Sequence, residues 1–230
     1  MTLTQQRTSP ARRRYVLPAA GTALAAAGTV GAIALADAAT ESDGLAAFDP
    51  GFTADAVAAR REPLTSLAHA LTFIGSVPVL VALMLVAAVL LWRWTGTLRA
   101  PGLLLFAMAG SAALTYVLKL LVERKRPGIT FVLGPVDNGY AFPSGHTLNS
   151  TVFFGMLAGL MWASLRSSRA RTAVGLTATV LSLGIGLSRV YLGYHWATDV
   201  LAGWAIAVTW LTIVAAVAYF TRDLVRPRGL

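Results

Sequence analysis

The sequence predicts an all-α, polytopic membrane protein with six transmembrane helices in a bundle. Three observations carry that expectation. Hydrophobic residues make up 56% of the 230-residue chain, and its mean hydropathy is +0.66. Only 13% of the residues are charged, where a soluble domain carries about a quarter. The apolar residues are gathered into six segments, each near the roughly 20 residues that a helix needs to cross a bilayer.

The segments are 15–36, 67–92, 101–122, 147–165, 173–192 and 200–220. No repeat or low-complexity tract divides them, so they read as one transmembrane domain, 15–221, between tails at 1–14 and 222–230. The first segment imitates a secretory signal, with Arg12-Arg13-Arg14 ahead of it and the small residues Ala34-Leu35-Ala36 behind. Its apolar run exceeds the roughly 7–15 residues of a signal core, which favours a retained helix. Between the second and third segments lie Trp92, Arg93, Trp94 and Arg99, as expected at an inner interface. A short helix is expected on the outer surface from Phe52-Thr53-Ala54 onward.

The charges exclude some function classes. The net charge of +9 is split into short clusters between apolar runs, which sets membrane orientation and does not indicate nucleic acid. With the N-terminus cytoplasmic, the inner side holds 12 of the 19 basic residues, among them Arg166, Arg169, Arg171, Arg222, Arg226 and Arg228. Both termini are therefore expected in the cytoplasm of a cell-membrane protein. Tyr194 and Trp196 fit an outer interfacial belt. The chain has no cysteine, so disulfides, thiolate chemistry and Cys-ligated metal are unavailable.

This orientation brings unusual polar residues to the outer face. Lys119 stands inside an apolar segment, where a charge is costly and by default functional. Arg126 follows seven residues later, on nearly the same face of a continuing helix, and Pro127 makes Arg126 the expected last helical residue. Taken alone, Arg124-Lys125-Arg126 reads as a solvated cap on the helix dipole. In Pro143-Ser144-Gly145-His146, Ser144 reads as the N-cap of the fourth helix, and Gly145 allows a ligand close to the backbone. Taken alone, His146 would be an interfacial histidine. In Ser188-Arg189 and His195 to Asp199, the last pair is four residues apart and can share a helix face. A carboxylate there can hold one imidazole nitrogen and leave the other to act.

The conjunction is more telling than any single piece. Lys119, Arg126 and Arg189 with a helix N-terminus make a phosphate cage. His146 and His195 can supply a general acid and a nucleophile. Only one carboxylate, Asp199, joins them, and three cations repel a divalent ion, so no metal and no cofactor are expected. His69 fits none of the three pieces and reads as an interfacial or core histidine.

The three pieces resemble the signature motifs of the type-2 phosphatidic acid phosphatase superfamily: Lys-x6-Arg-Pro, Pro-Ser-Gly-His and Ser-Arg-x5-His-x3-Asp. All eleven specified positions are filled, in order, between Lys119 and Asp199. The resemblance implies a membrane-embedded lipid phosphatase with its active site at the extracytoplasmic interface. It implies that His195 attacks phosphorus, Asp199 orients it, and His146 protonates the leaving oxygen. Lys119, Arg126, Ser144, Gly145 and Arg189 would hold the non-bridging oxygens. The substrate class implied is a lipid phosphate in the bilayer, with undecaprenyl diphosphate or a glycerophospholipid phosphate foremost. Rival expectations are a lipid phosphotransferase using the same phosphohistidine and a non-catalytic lipid-phosphate binder or transporter. The vanadium haloperoxidases share the pocket pattern, but they are soluble. The loop 128–141 can shape the entrance, though no residue in it decodes a head group.

Overall fold

The computed structural model describes residues 10–221, with side chains from Ala19 onward. The tail 222–230 and residues 1–9 of the expected N-terminal tail lie outside the described residues, as do the side chains of Arg12, Arg13 and Arg14. Eight α-helices follow one another among the described residues: α1 Pro10–Glu41, α2 Asp49–Ala58, α3 Leu64–Ile74, α4 Val77–Thr95, α5 Arg99–Val122, α6 Gly145–Ser164, α7 Ser168–Tyr191 and α8 Ala197–Phe220. Two short 3₁₀ turns, Gly44–Phe48 and Ile129–Phe131, lie in the connections, and no strand occurs among the described residues.

Five of these helices are long and apolar enough to cross a membrane: α1 from Ala19, α4, α5, α7 and α8. The fourth expected crossing, 147–165, forms α6 at 20 residues. Its first two turns carry Thr147, Asn149, Ser150 and Thr151, which lower its hydropathy below that of the other five. The second expected segment is not one helix. Ser76 is extended at φ −69° and ψ 150°, and Pro78 lies in the first turn of α4, so the chain breaks after Gly75. The 11-residue α3 that results is too short to span and packs against α7.

The bundle centres on α6, which lies against α5, α7 and α8, while α1 runs along α8. Leu104, Ala107, Leu148, Val152, Phe153 and Ala202 fill the core where α5, α6 and α8 meet. The outward faces remain apolar. Leu85, Leu90, Leu121, Val180, Leu187 and Phe220 are all exposed. An apolar surface of that extent requires lipid around it.

The helix ends follow local chemistry. Gly96 ends α4 in the left-handed conformation at φ 66°. The Ser167 hydroxyl accepts from the Ala170 amide at the start of α7. The expected helix from Phe52 onward is α2. It is no mere surface element, because Asp49 and Thr53 on it are buried.

Candidate active site

The site is built at the ends of α5, α6, α7 and α8. Between α7 and α8 the chain doubles back, and the amides of Tyr194 and His195 both bond to the Arg189 carbonyl, at 2.9 and 3.3 Å. Gly193 makes the reversal at φ 78°, and a Cβ there would stand 2.0 Å from the Phe131 carbonyl oxygen. The reversal buries His195 to 2% exposure, one turn before Asp199, which is fully buried.

The His195 ring is held from both sides. Nδ1 lies 3.3 Å from Asp199 Oδ2, and Nε2 lies 3.3 Å from Arg126 Nη1. A guanidinium only donates, so the contact at Nε2 requires a lone pair there, and the ring proton is assigned to Nδ1, facing the carboxylate. Burial first, and then the charges of Arg189, Arg126 and Lys119, push His195 well below the ordinary histidine value. The ring is thus neutral at neutral pH, with its lone pair facing the cations. Asp199 is fixed in turn: Oδ2 accepts from the Trp196 amide at 2.9 Å, and Oδ1 accepts from Arg124 at 2.7 Å.

The first motif reaches the site by a different route from the one its spacing suggests. Helix α5 ends at Val122, and Glu123 turns left-handed at φ 49°. Arg126 is therefore not a helical residue, and no continuous helix face joins it to Lys119. The two still converge, because the extended segment 124–127 crosses the end of α8. There Arg126 Nη1 also donates to the Tyr194 carbonyl at 2.9 Å, and its Nε donates to the Gly139 carbonyl at 3.0 Å. Lys119 donates to the Tyr140 carbonyl and does not pair with Glu123.

In the second motif Ser144 occupies the N-cap position of α6, yet its hydroxyl does not cap the helix. It accepts from Thr147 Oγ1 at 3.0 Å, while the Ser144 amide donates to the Asp199 carbonyl at 3.1 Å. That amide bond ties the start of α6 to the start of α8. A Cβ on Gly145 would lie 3.1 Å from the Thr115 side chain, so close packing on α5 also calls for glycine there. The His146 side chain is half-buried and makes no hydrogen bond among the described residues. It lies against the α3–α4 break, its Cδ2 3.5 Å from where a Gly75 Cβ would be. His69, outside the motifs, is exposed on α3.

Arg189 is 3% exposed and lies 4.0 Å over the Tyr194 ring, with Nη1 2.7 Å from Thr72 Oγ1. Its Nε is buried without a partner. Tyr194 and Trp196, expected at the outer interface, also brace this site. Tyr194 is buried under Arg189, and Trp196 Nε1 donates to the Lys125 carbonyl at 2.9 Å.

Sequence reasoning missed three charged members. Arg124 is not a solvated cap: it is buried between Asp199 and Asp49, with Nη2 2.8 Å from Asp49 Oδ2. Asp49 comes from the first turn of α2 and also accepts from the Thr198 amide at 3.1 Å. Asp137, in the loop 128–141, pairs with both Arg189 and Arg126. The one sequence signal was the position of Arg124 inside the first motif, between Lys119 and Arg126; nothing marked Asp49 or Asp137.

Known proteins give the arrangement a family. Phosphatidylglycerophosphatase B of Bacillus subtilis is 29% identical over 175 residues, 74% of this chain and 83% of that protein. The undecaprenyl-diphosphatase of Sulfolobus acidocaldarius is 33% identical over 86 residues, 37% of either chain. The crystal structure of a transmembrane PAP2-type phosphatidylglycerolphosphate phosphatase from Bacillus subtilis superposes with a TM-score of 0.78 at 24% identity, covering 89% of this chain and 98% of that one. The model of the PAP2 superfamily matches residues 100–223, a stretch that contains all three motifs, helices α6 to α8 and all of α5 after Arg99. The histidines, the cations and the fold that gathers them thus have one origin: the chain belongs to the PAP2 superfamily.

Proposed function

We propose that this protein is a metal-independent lipid phosphatase that works through a phosphohistidine. The observation that carries the reading is the His195 ring, fixed between Asp199 and Arg126 inside a ring of cations. Lys119, Arg126, Arg189 and the first amides of α6 hold the phosphoryl oxygens and offset the charge that grows in the transition state. Nε2 of His195 forms a bond to phosphorus in line with the bond that breaks to the leaving oxygen. His146 takes up a proton when the phosphate anion offsets the cations around it, and passes that proton to the leaving oxygen. The imidazole then takes a proton from water, whose oxygen displaces His195 and releases inorganic phosphate. Asp199 stabilises the charged ring of the intermediate.

The substrate is proposed to be undecaprenyl diphosphate or a glycerophospholipid phosphate, presented at the outer membrane–water interface. Support comes from the names of the relatives and from a second feature. An apolar crevice of about 330 Å³, lined by Ile33, Leu114, Leu118, Ile206 and Ile213, runs between α1, α5 and α8 up to Phe142. It suits a hydrocarbon chain whose head group lies at Ser144. The excess of basic residues on the other side supports cytoplasmic termini.

The test is phosphate release in EDTA from undecaprenyl diphosphate, phosphatidic acid, phosphatidylglycerol phosphate and diacylglycerol diphosphate. Labelled substrate should leave an acid-labile phosphate on the protein, absent in His195→Ala. Label that moves to an added lipid acceptor in place of water would identify a phosphotransferase. Tight binding of these lipids without turnover would identify a binder.

A further inference from the structure

The cations proposed to hold the phosphate are already engaged by a single segment of the loop after α5. The Asp137 carboxylate pairs with Arg189 and lies 3.5 Å from Arg126 Nη1. Two residues on, the Gly139 carbonyl accepts from Arg126 Nε at 3.0 Å, and the Tyr140 carbonyl accepts from Lys119. One carboxylate and two carbonyls thus occupy donors on all three cations of the cage. The segment is held at its start by the Leu133 carbonyl, which accepts from the Tyr194 hydroxyl at 3.4 Å, and by the Leu133 amide, which donates to the Leu192 carbonyl at 3.0 Å. Asp137 is 37% exposed, so its pairing with Arg189 is the outer wall of the pocket and not part of the core.

We infer that Asp137 is a specificity-determining residue, a tethered anion that holds the phosphate pocket closed against weakly charged competitors. The inference rests on the phosphatase reading above. A lipid phosphatase works in a bilayer crowded with phosphodiester head groups, each carrying one negative charge on its phosphate. A carboxylate of equal charge, held beside the arginines by its own chain, outcompetes them without an entropic cost of association. A terminal phosphate bears up to two charges and three free oxygens, enough to satisfy the cations that Asp137, Gly139 and Tyr140 release. Apparent affinity for any anion is then the intrinsic affinity multiplied by the fraction of molecules in which the segment has left the cage.

The test compares the wild-type protein with Asp137→Asn and Asp137→Ala in detergent micelles, using orthovanadate as the probe. Binding is read by thermal shift without turnover, so it does not depend on whether the phosphatase reading is right. Both variants should bind orthovanadate about tenfold more tightly. Competition of micellar phosphatidylglycerol with orthovanadate, negligible in the wild type, should appear in both. In the wild type, saturating orthovanadate should speed hydrogen exchange of the amides from 136 to 140. Unchanged or weaker orthovanadate binding in either folded variant overturns the inference and makes Asp137 an organiser of the arginines. Slower exchange in the segment overturns it as well. A wild type that binds orthovanadate but releases phosphate from no lipid of the panel refutes the phosphatase reading alone.

Discussion

Asp49 and Asp199 stand 75 residues to either side of Arg124 and share its guanidinium, at 2.8 and 2.7 Å. Both carboxylates are buried, and the arginine is 8% exposed. The carboxylate that orients His195 is therefore positioned by an element outside the three motifs. Removing the shared cation leaves two buried charges uncompensated, which costs about 3–5 kcal/mol. Arg124→Ala should lower the unfolding temperature sharply and lower kcat as well. Asp49→Asn keeps the bond from the Thr198 amide and should be milder on both counts. Thermal unfolding together with phosphate release measures the pair; an Arg124→Ala protein of wild-type stability would refute the shared-ion role.

The two histidines should separate in their effects. His146→Ala removes the proposed proton donor and should slow turnover about 10²–10⁴-fold. A substrate with a more acidic leaving group should recover part of that loss. His195→Ala should abolish turnover for every leaving group, with circular dichroism unchanged. Recovery in the His195 variant would reverse the assignments.

The pH profile follows from the direction of the His195 shift. Burial and the neighbouring cations favour the neutral ring, so Nε2 keeps its lone pair to well below the ordinary histidine value of about 6.5. The acid limb of kcat/KM should accordingly fall below pH 6.5. Arg126→Gln removes one of the cations and should move that limb to higher pH. The same shift bears on stability with a definite sign. The unfolded chain takes up the histidine proton near pH 6.5 and the folded chain does not, so stability falls as pH drops through that value. An acid limb at or above pH 6.5 in the wild type would contradict the buried, neutral ring.

EDTA should leave turnover intact, because three cations surround the reacting centre and repel a divalent ion. Loss of activity that added metal restores would refute this reading.

Gly193→Ala places a Cβ 2.0 Å from the Phe131 carbonyl oxygen and forces a side chain into φ 78°. The strain is roughly 1–3 kcal/mol or more, and its relief must shift the reversal that carries His195. Activity should fall further than stability does, as comparison of melting with turnover would show.

Much of this fold and site was legible in the sequence, where local chemistry and tertiary demand agree. The apolar segments gave the long helices, and the spacing of His195 and Asp199 gave their contact. The reading failed where a backbone turn overrode periodicity. Glu123 ends α5 three residues before Arg126, and Ser76 with Pro78 splits the second segment. It failed again where pairing is non-local. Arg124 looked like a solvated charge because its partners lie 75 residues away on both sides, and nothing near Asp137 announces two arginines.

The Ser144 amide bond to the Asp199 carbonyl and the Arg124 bridge to Asp49 have a shared consequence. No segment of this protein is a catalytic unit. The proposed nucleophile His195, the Asp199 carboxylate beside it and the amides at the start of α6 become neighbours only when α2, α5, α6 and α8 have all docked. Turnover is then a sensor of complete assembly. A detergent that loosens the end of the bundle where these helices meet will silence the protein while its helix content stays whole.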